Sequence, residues 1–223
     1  HGPDATFCGW DHKNRSVFIR PKHRKMHTQV IGTTNAGKTE SVILPWAIQD
    51  VEQGRGLLLM DGKADRALLD KLYAYVVKAG RKNDFRLFSL SYPEKSFAFD
   101  PLSGGTASEI SERVFNAFEF ENPFYRGLQY ELFSHSLRIF EFSDKRAFIS
   151  RVYEAIQNPS LLEKMLQKPK NEAEEIWIKA FQSLDRKARE ERSVGLLSAL
   201  GPFVFGEAKR LFQSTKNSFT IDE

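Results

Sequence analysis

Cysteine is almost absent from this sequence: Cys8 is the only one among 223 residues. A single cysteine excludes an intrachain disulfide, and nothing indicates a metal centre built on thiolate ligands. No uninterrupted apolar run approaches the roughly 20 residues of a membrane span, and no signal peptide is visible. The chain by itself is therefore expected to be soluble.

A large excess of one charge is also missing. The 33 lysines and arginines against 29 aspartates and glutamates give a net charge of +4 and a pI near 9.1. This balance is compatible with a polyanionic partner but does not demonstrate one. Hydrophobic residues make up 41% of the chain, enough for a core, so general disorder is not expected. The sequence opens on His1 without an initiator methionine, and we expect it to be a piece of a longer protein.

The most informative stretch is Gly32–Thr39, which reads G-T-T-N-A-G-K-T. It fits the phosphate-loop pattern G-x-x-x-x-G-K-[ST] at every fixed position. An apolar run at 29–31 precedes it, and residues 40–49 predict a helix, so the motif has the strand–loop–helix context that it requires. Gly32 and Gly37 permit backbone angles that turn successive N–H groups toward a phosphate.

The side chains that follow these glycines suit a nucleotide with its metal. Lys38 is expected to reach the β- and γ-phosphates, and the Thr39 hydroxyl to bind Mg²⁺. The predicted ligands are ATP and Mg²⁺. The predicted nucleotide site consists of Gly32, Thr33, Thr34, Asn35, Ala36, Gly37, Lys38 and Thr39.

Apolar runs and helical patterns alternate through the first hundred residues. Residues 7–10 and 16–20 predict a hairpin. Runs at 57–60 and 85–90 predict two more strands, separated by a helix over 66–79 that Gly80 ends. The order β-α-β-α-β predicts an α/β fold in which a parallel sheet carries helices on its faces. Pro45 is expected to distort the helix that follows the phosphate loop.

The second half of the sequence has a different character. No strand candidate interrupts residues 106–200, which predicts an all-α domain. Its helices are expected to begin at a Thr106–Glu109 capping box, at Ser143 or Asp144, at Asn158-Pro159 and at Asn171, and the last helix to end at Gly201-Pro202. We therefore expect three segments: a nucleotide-binding part (1–102), an all-α domain (103–202) and a return segment (203–223).

An acidic residue that activates water is harder to find. Asp61 follows an apolar run and is a candidate for a supporting role near the nucleotide. Asp222-Glu223 offers the two carboxylates that such a site requires, but residues 217–221 have a poor pattern for a buried strand. We favour a third possibility, in which the acidic strand lies beyond Glu223. On that interpretation the chain binds nucleotide weakly and hydrolyses it poorly, if at all.

Three motifs together resemble the coupling proteins of type IV secretion and conjugation systems. Residues 27–39, H-T-Q-V-I-G-T-T-N-A-G-K-T, are similar to the phosphate-loop segment of that family, typically G-T-T-G-S-G-K-T. Residues 61–65, D-G-K-A-D, are similar to its motif D-[PG]-K-G-[DE]. Residues 99–102, F-D-P-L, are similar to the N-P-L turn that precedes an all-α domain. Four positions depart from the family pattern: Asn35 and Ala36 replace glycine and serine, Ala64 replaces glycine, and Asp100 replaces asparagine.

The resemblance implies a RecA-like ATPase core with an all-α insertion. It also implies a membrane-anchored, homo-hexameric parent on the cytoplasmic side of the bacterial inner membrane, although the fragment itself could be monomeric. Such motors pass DNA–relaxase complexes or protein effectors to the components of a secretion channel. By the same analogy the parent is an ATPase and its acidic pair follows the all-α insertion.

Other interpretations remain open from the sequence. The D-G-K motif is partly shared with DNA-pumping ATPases of the FtsK/HerA type and with the other ATPase class of the same secretion systems. Alternatively, the chain is a non-catalytic recognition module whose helical part carries aromatic docking residues near Asn122-Pro123, where a helix is expected to stop. These residues are Phe118, Phe120, Phe124 and Tyr125. The basic run 21–25 could contact nucleic acid or be a solvated loop.

Overall fold

The structure is a computed structural model that describes residues 2, 4–118, 122–143, 146–165, 169, 171–213 and 219. The chain forms two units, His1–Phe85 and Arg86–Glu223, called here the N-terminal unit and the helical unit. Asp144, Phe120 and residues 217–218 and 220–223, for which the sequence makes predictions, lie outside the described residues.

The N-terminal unit begins with the predicted hairpin, which is confirmed. Strands β1 (Thr6–Trp10) and β2 (Ser16–Ile19) pair antiparallel with a register shift between Phe7 and Gly9. The helices that follow are α1 (Pro21–Arg24), α2 (Leu44–Glu52) and α3 (Arg66–Lys78). A π-helical turn spans Thr39–Ile43, and a 3₁₀ turn spans Lys82–Asp84.

The predicted α/β fold with a RecA-like parallel sheet is wrong. Within the described residues β1 and β2 form the only sheet, and the runs at 29–31, 57–60 and 85–90 are not strands. Ile31 is 85% exposed and Met60 84% exposed. An apolar run indicates only that the segment would fit a pleated, half-buried surface. It forms a strand when a neighbouring strand supplies the backbone hydrogen bonds.

The core of the N-terminal unit lies between α2 and α3 instead. Its buried members are Leu44, Ala47, Val51, Leu68, Leu72 and Val76. From the three apolar runs only Leu59 and Phe85 pack against this core. The apolar core that we expected between a sheet and its helices therefore lies between two amphipathic helices.

Pro45 explains the π-helical turn. Proline has no N–H to donate, and its ring crowds the carbonyl four residues earlier, so a regular α-helix cannot run through this position undisturbed. The chain responds by widening: the N–H of Leu44 donates to the carbonyl oxygen of Thr39, five residues back. The distortion predicted from the sequence is confirmed, and it lies directly after the phosphate-loop motif.

A buried carboxylate ties the hairpin to α2. Asp50 accepts hydrogen bonds from Arg24, at 3.0 and 2.9 Å, and from Arg55, at 3.1 Å. Arg24 also donates to the hydroxyl of Thr6, which is fully buried. Beside this cluster the Gln49 amide bonds both the N–H and the C=O of Phe7, as a neighbouring strand would.

The helical unit contains seven α-helices and one 3₁₀ turn among its described residues. The turn is Pro93–Lys95. The helices are α4 (Ala107–Ala117), α5 (Pro123–Phe142), α6 (Ile149–Gln157), α7 (Pro159–Met165), α8 (Glu172–Ser183), α9 (Arg186–Val204) and α10 (Lys209–Gln213). Apolar side chains from α4 to α9 form one core, and Phe115, Phe133, Val152, Leu196 and Leu200 are its most deeply buried members.

Three predicted helix starts in this unit are confirmed. Thr106 and Glu109 form a reciprocal capping box at α4, and the Asn171 side chain accepts the N–H of Glu174 at α8. Helix α7 begins at Pro159 as expected. At α4 and α8 the residue pattern is sufficient because each cap is a local hydrogen bond.

Two other boundaries were predicted wrongly, and a third was not predicted. Ser143 ends α5, whereas Phe148 precedes α6 and caps it without a side-chain bond. A new cap at Asp185, which accepts the N–H of Ala188, separates α8 from α9. Pro202 lies inside α9 rather than after it, because the last turn is held by the packing of Phe203 and Val204 on the core.

Protonation of His135 provides a test of the helical core. Its ring stacks on Trp177, with centroids 4.4 Å apart, and burial, assisted by the charge of Arg138, lowers the pKa of His135 to about 4. Between pH 6.5 and 4 the unfolded chain takes up a proton that the folded chain does not, so stability falls as the pH falls through this window. After allowing for partial exposure we expect a loss of about 1–2 kcal/mol.

The measurement is the free energy of unfolding at pH 7 and pH 4.5 for the parent chain and for His135→Phe, which retains an aromatic ring against Trp177. The variant should lose less stability on acidification by the same 1–2 kcal/mol. Equal losses in the two proteins would show that His135 is not held neutral.

Candidate functional site

The phosphate-loop motif forms a compact, exposed turn in the N-terminal unit. Ala36 N–H donates to Thr33 O over 3.2 Å, and Ser41 N–H donates to Gly37 O over 2.8 Å. Asn35 and Gly37 both have positive φ, 64° and 76°. Asparagine is among the few non-glycine residues that adopt this conformation readily. The departure from the usual glycine at position 35 therefore preserves the path of the loop.

Lys38 folds back over its own loop. Its Nζ donates to the carbonyl oxygens of Gly32 and Thr33, each at 2.7 Å. A Cβ on Gly32 would approach Cγ of Lys38 to 3.3 Å. The absence of a side chain at Gly32 thus leaves the space through which the Lys38 side chain passes. This role is separate from the backbone freedom of glycine.

The backbone of the loop can accommodate a phosphate group. Within the described part of the chain, the N–H groups of Thr34, Asn35 and Gly37 donate to no other atom. Phosphate oxygens bind unpaired backbone N–H groups of this kind, which lie in a left-handed turn ahead of a helix. A nearby ammonium group strengthens the binding. The residues present therefore fit a nucleotide phosphate.

The helical start after the loop contacts α3. Glu40, in the first turn after Lys38, accepts a hydrogen bond from Lys71 Nζ at 2.7 Å. Both side chains are about half exposed, so the pair adds little stability. Sequence reasoning missed this link, because neither residue belongs to a recognised motif.

The D-G-K-A-D motif forms a self-contained turn at the start of α3. The Asp61 carboxylate accepts the N–H groups of Lys63, at 3.1 Å, and Asp65, at 2.6 Å. The bond from Asp65, followed by that from Lys63, lowers the pKa of Asp61 below its usual value. Asp65 in turn accepts the N–H groups of Ala67 and Leu68 and caps α3. Both carboxylates therefore stabilise local backbone.

Ala64, at the centre of that turn, has a φ of 52°. The left-handed conformation costs a residue with a Cβ about 1–2 kcal/mol, whereas glycine adopts it freely but loses more entropy on folding. We expect Ala64→Gly to stabilise the N-terminal unit by about 0.5–1 kcal/mol, measured by chemical denaturation.

Ala74, exposed in the middle of α3, provides the matched control. The same change at this helical position should destabilise the unit by about 1 kcal/mol. If both changes destabilise the protein equally, Ala64 is not strained.

Within the described residues no hydrogen bond or ion pair joins Asp61 to the loop 32–39. In the basic run, Arg24 is engaged by Asp50, while Lys22, His23 and Lys25 are exposed. The described part of the chain has no cluster of three metal-binding side chains, and none of its helices has the length and hydropathy of a membrane span.

Comparison with known proteins gives one informative match. The chain is 31% identical over 120 residues to the Type 4 coupling protein DotL of Legionella pneumophila, which covers 49% of this chain and 15% of that protein. No family model and no solved structure matches the chain. The similarity supports a relationship to type IV coupling proteins at the level of the family.

Proposed function

We propose that this chain is a nucleotide-binding segment of a type IV secretion coupling protein, in which Gly32–Thr39 binds the phosphates of ATP. The observation that carries the proposal is the geometry of the loop. Its backbone has N–H groups that donate to no other described atom, and Lys38 Nζ donates to the carbonyl oxygens of Gly32 and Thr33 in the same loop. The similarity to DotL favours a coupling protein over the DNA-pumping ATPases that share part of the D-G-K motif.

Binding by this loop requires Lys38 to exchange partners. Its ammonium leaves Gly32 O and Thr33 O and turns to the phosphate oxygens, where both members of each hydrogen bond are charged. The N–H groups of Asn35 and Gly37 then donate to the same ligand. The Thr39 hydroxyl would hold Mg²⁺, which when bound would neutralise charge on the phosphates.

Hydrolysis requires more than the described residues supply. The Asp61 carboxylate is committed to two backbone N–H groups of its own turn, and its pKa is lowered, so it is a poor proton acceptor. We propose that the acid that activates water belongs to another part of the parent protein. The parent would hydrolyse ATP, and this segment by itself would mainly bind it.

The proposal extends to the cellular role at the level of the parent protein. That protein would be a homo-hexameric motor on the cytoplasmic side of a bacterial inner membrane. It would pass DNA–relaxase complexes or protein effectors to components of a secretion channel. The helical unit would serve in recognising this cargo.

Equilibrium binding of a fluorescent ATP analogue to the purified 223-residue chain, followed by an assay of phosphate release, tests the nucleotide site. We expect saturable, Mg²⁺-dependent binding in the micromolar to millimolar range with little phosphate release. Absence of binding at millimolar nucleotide would contradict the proposal. Rapid hydrolysis by this chain alone would contradict the assignment of the acid to another part of the parent.

A further inference from the structure

Asn35 carries a side-chain amide that the proposed nucleotide site does not use. The residue is exposed in the Gly32–Thr39 loop, and among the residues that the structure describes its amide forms no hydrogen bond. The backbone N–H of the same residue also donates to no other described atom, and the proposed site assigns it to the phosphates. The amide oxygen beside it is therefore free to bind a further ligand.

Backbone geometry alone does not require an amide at position 35. Its φ of 64° suits asparagine, but glycine adopts the same conformation without steric cost. Asn14, in the turn between β1 and β2, has a similar φ of 55° and is also exposed. Asn14 lies outside the phosphate loop, so a comparison of the two asparagines separates the conformational role from a binding role.

The backbone beside the Asn35 amide limits where the amide oxygen can lie. The Asn35 N–H is proposed to donate to a phosphate oxygen, and only a few covalent bonds separate this nitrogen from the side-chain oxygen Oδ1. A cation bound by the phosphate oxygens is therefore within reach of Oδ1. Amide oxygens are neutral, hard ligands of the kind that such cations prefer.

The described residues leave part of the negative charge of a triphosphate unbalanced. Lys38 supplies a positive charge to the loop. In the described part of the chain no arginine and no other lysine donates a hydrogen bond to residues 32–39, and Lys71 is paired with Glu40. Because Mg²⁺ and a single ammonium do not neutralise the full charge of ATP at neutral pH, a further cation would tighten binding.

We infer that Asn35 Oδ1 and the phosphate oxygens of bound ATP together hold a monovalent cation of the size of K⁺. The inference rests on the proposed function, since the phosphates supply the other oxygen ligands. K⁺ gives up its hydration water more readily than the smaller Na⁺, and carbonyl oxygens can replace that water. The side chain of Asn35 fixes the place of the cation, and the cation adds the charge that the loop lacks.

Equilibrium binding of a fluorescent ATP analogue to the purified 223-residue chain tests the inference. Binding is measured with Mg²⁺ present in equal concentrations of KCl, NaCl or choline chloride, so that general screening is the same in each. Affinity in KCl should exceed affinity in choline chloride by about five-fold, because the added charge is exposed and partly screened. Affinity in NaCl should lie between the two.

Three variants separate the side chain of Asn35 from its backbone. Asn35→Gly keeps the backbone conformation accessible, and it should abolish the difference between KCl and choline chloride. Asn35→Asp keeps an oxygen and adds a negative charge, so the ratio of the two affinities should rise above that of the unmodified chain. Asn14→Gly makes the same change in the hairpin turn and is the matched control, which should leave the ratio unchanged.

The side-chain amide gives a direct spectroscopic signal. In the ¹⁵N-labelled chain saturated with Mg²⁺–ATP, replacement of choline chloride by KCl should shift the side-chain NH₂ resonances of Asn35. Those of Asn14 should stay in place. This measurement requires no substitution, so it stands even if a variant fails to fold.

Three results would overturn the inference and leave the proposed function intact. One is ATP binding of equal affinity in all three salts. The second is a K⁺ effect that persists in Asn35→Gly or is no larger in folded Asn35→Asp than in Asn35→Gly. The third is an Asn35 side-chain amide that KCl does not shift. Absence of Mg²⁺–ATP binding in every salt would overturn both the inference and the proposed function.

Discussion

Lys38→Ala is expected to lower the affinity of the chain for Mg²⁺–ATP by about 10- to 100-fold. A hydrogen bond to a charged group contributes about 1.5–3 kcal/mol, which corresponds to this range in a dissociation constant. In the nucleotide-free loop Lys38 bonds two exposed carbonyl oxygens, which water can bond instead. The change should therefore shift folding stability by less than about 1 kcal/mol. Binding of the nucleotide and unfolding of the chain, measured on the same sample, separate the two effects.

Two further variants make this result specific. Lys63→Ala removes the same charge from an exposed position in the D-G-K-A-D turn, and it should change affinity less than about two-fold. Lys38→Arg keeps the charge but replaces a compact ammonium with a planar fork, so binding should be intermediate. If Lys38→Ala and Lys63→Ala weaken binding equally, general electrostatic attraction explains the binding and the loop has no special role.

Asp50→Ala is expected to destabilise the N-terminal unit by about 3 kcal/mol or more. The buried carboxylate holds Arg24 and Arg55 together, and its removal leaves two guanidinium groups without their counter-charge. Breaking a buried pair by removing one member is much more costly than the net contribution of the pair suggests. Amide hydrogen exchange in α2 reports the loss for this unit separately from the helical unit.

Asp70→Ala provides the control, since Asp70 pairs with Arg66 on the same unit but both side chains are at least half exposed. It should change stability by no more than about 1 kcal/mol. An equal effect from the two substitutions would mean that burial does not determine the contribution of the Asp50 cluster.

Local patterns in this sequence predict local structure well. The hairpin, the capping box of α4, the cap at Asn171 and the distortion at Pro45 each depend on a few neighbouring residues, and each was predicted correctly. The side-chain geometry of the loop was not predictable in the same way. The bonds from Lys38 to Gly32 and Thr33 depend on coordinates that the motif does not specify.

The prediction of a parallel sheet was wrong because a sheet depends on neighbouring strands that are distant in the sequence. Residues 57–60 are apolar, as a doubly buried strand would be, yet Leu58 and Met60 are exposed and only Leu59 reaches the core. Composition indicates what a segment prefers to bury but not whether a neighbouring strand is present. The contact between Gln49 and Phe7, where a side chain takes the place of a strand, was invisible for the same reason.

The central claim is that Gly32–Thr39 binds phosphate, and nuclear magnetic resonance of the amide groups tests it most directly. The ¹⁵N-labelled chain is titrated with Mg²⁺–ATP and, separately, with inorganic triphosphate. We predict saturable shifts for the amides of residues 32–39 with both ligands, and their loss in Lys38→Ala. Shifts confined to other residues, or shifts in the loop that persist in Lys38→Ala, would contradict the claim.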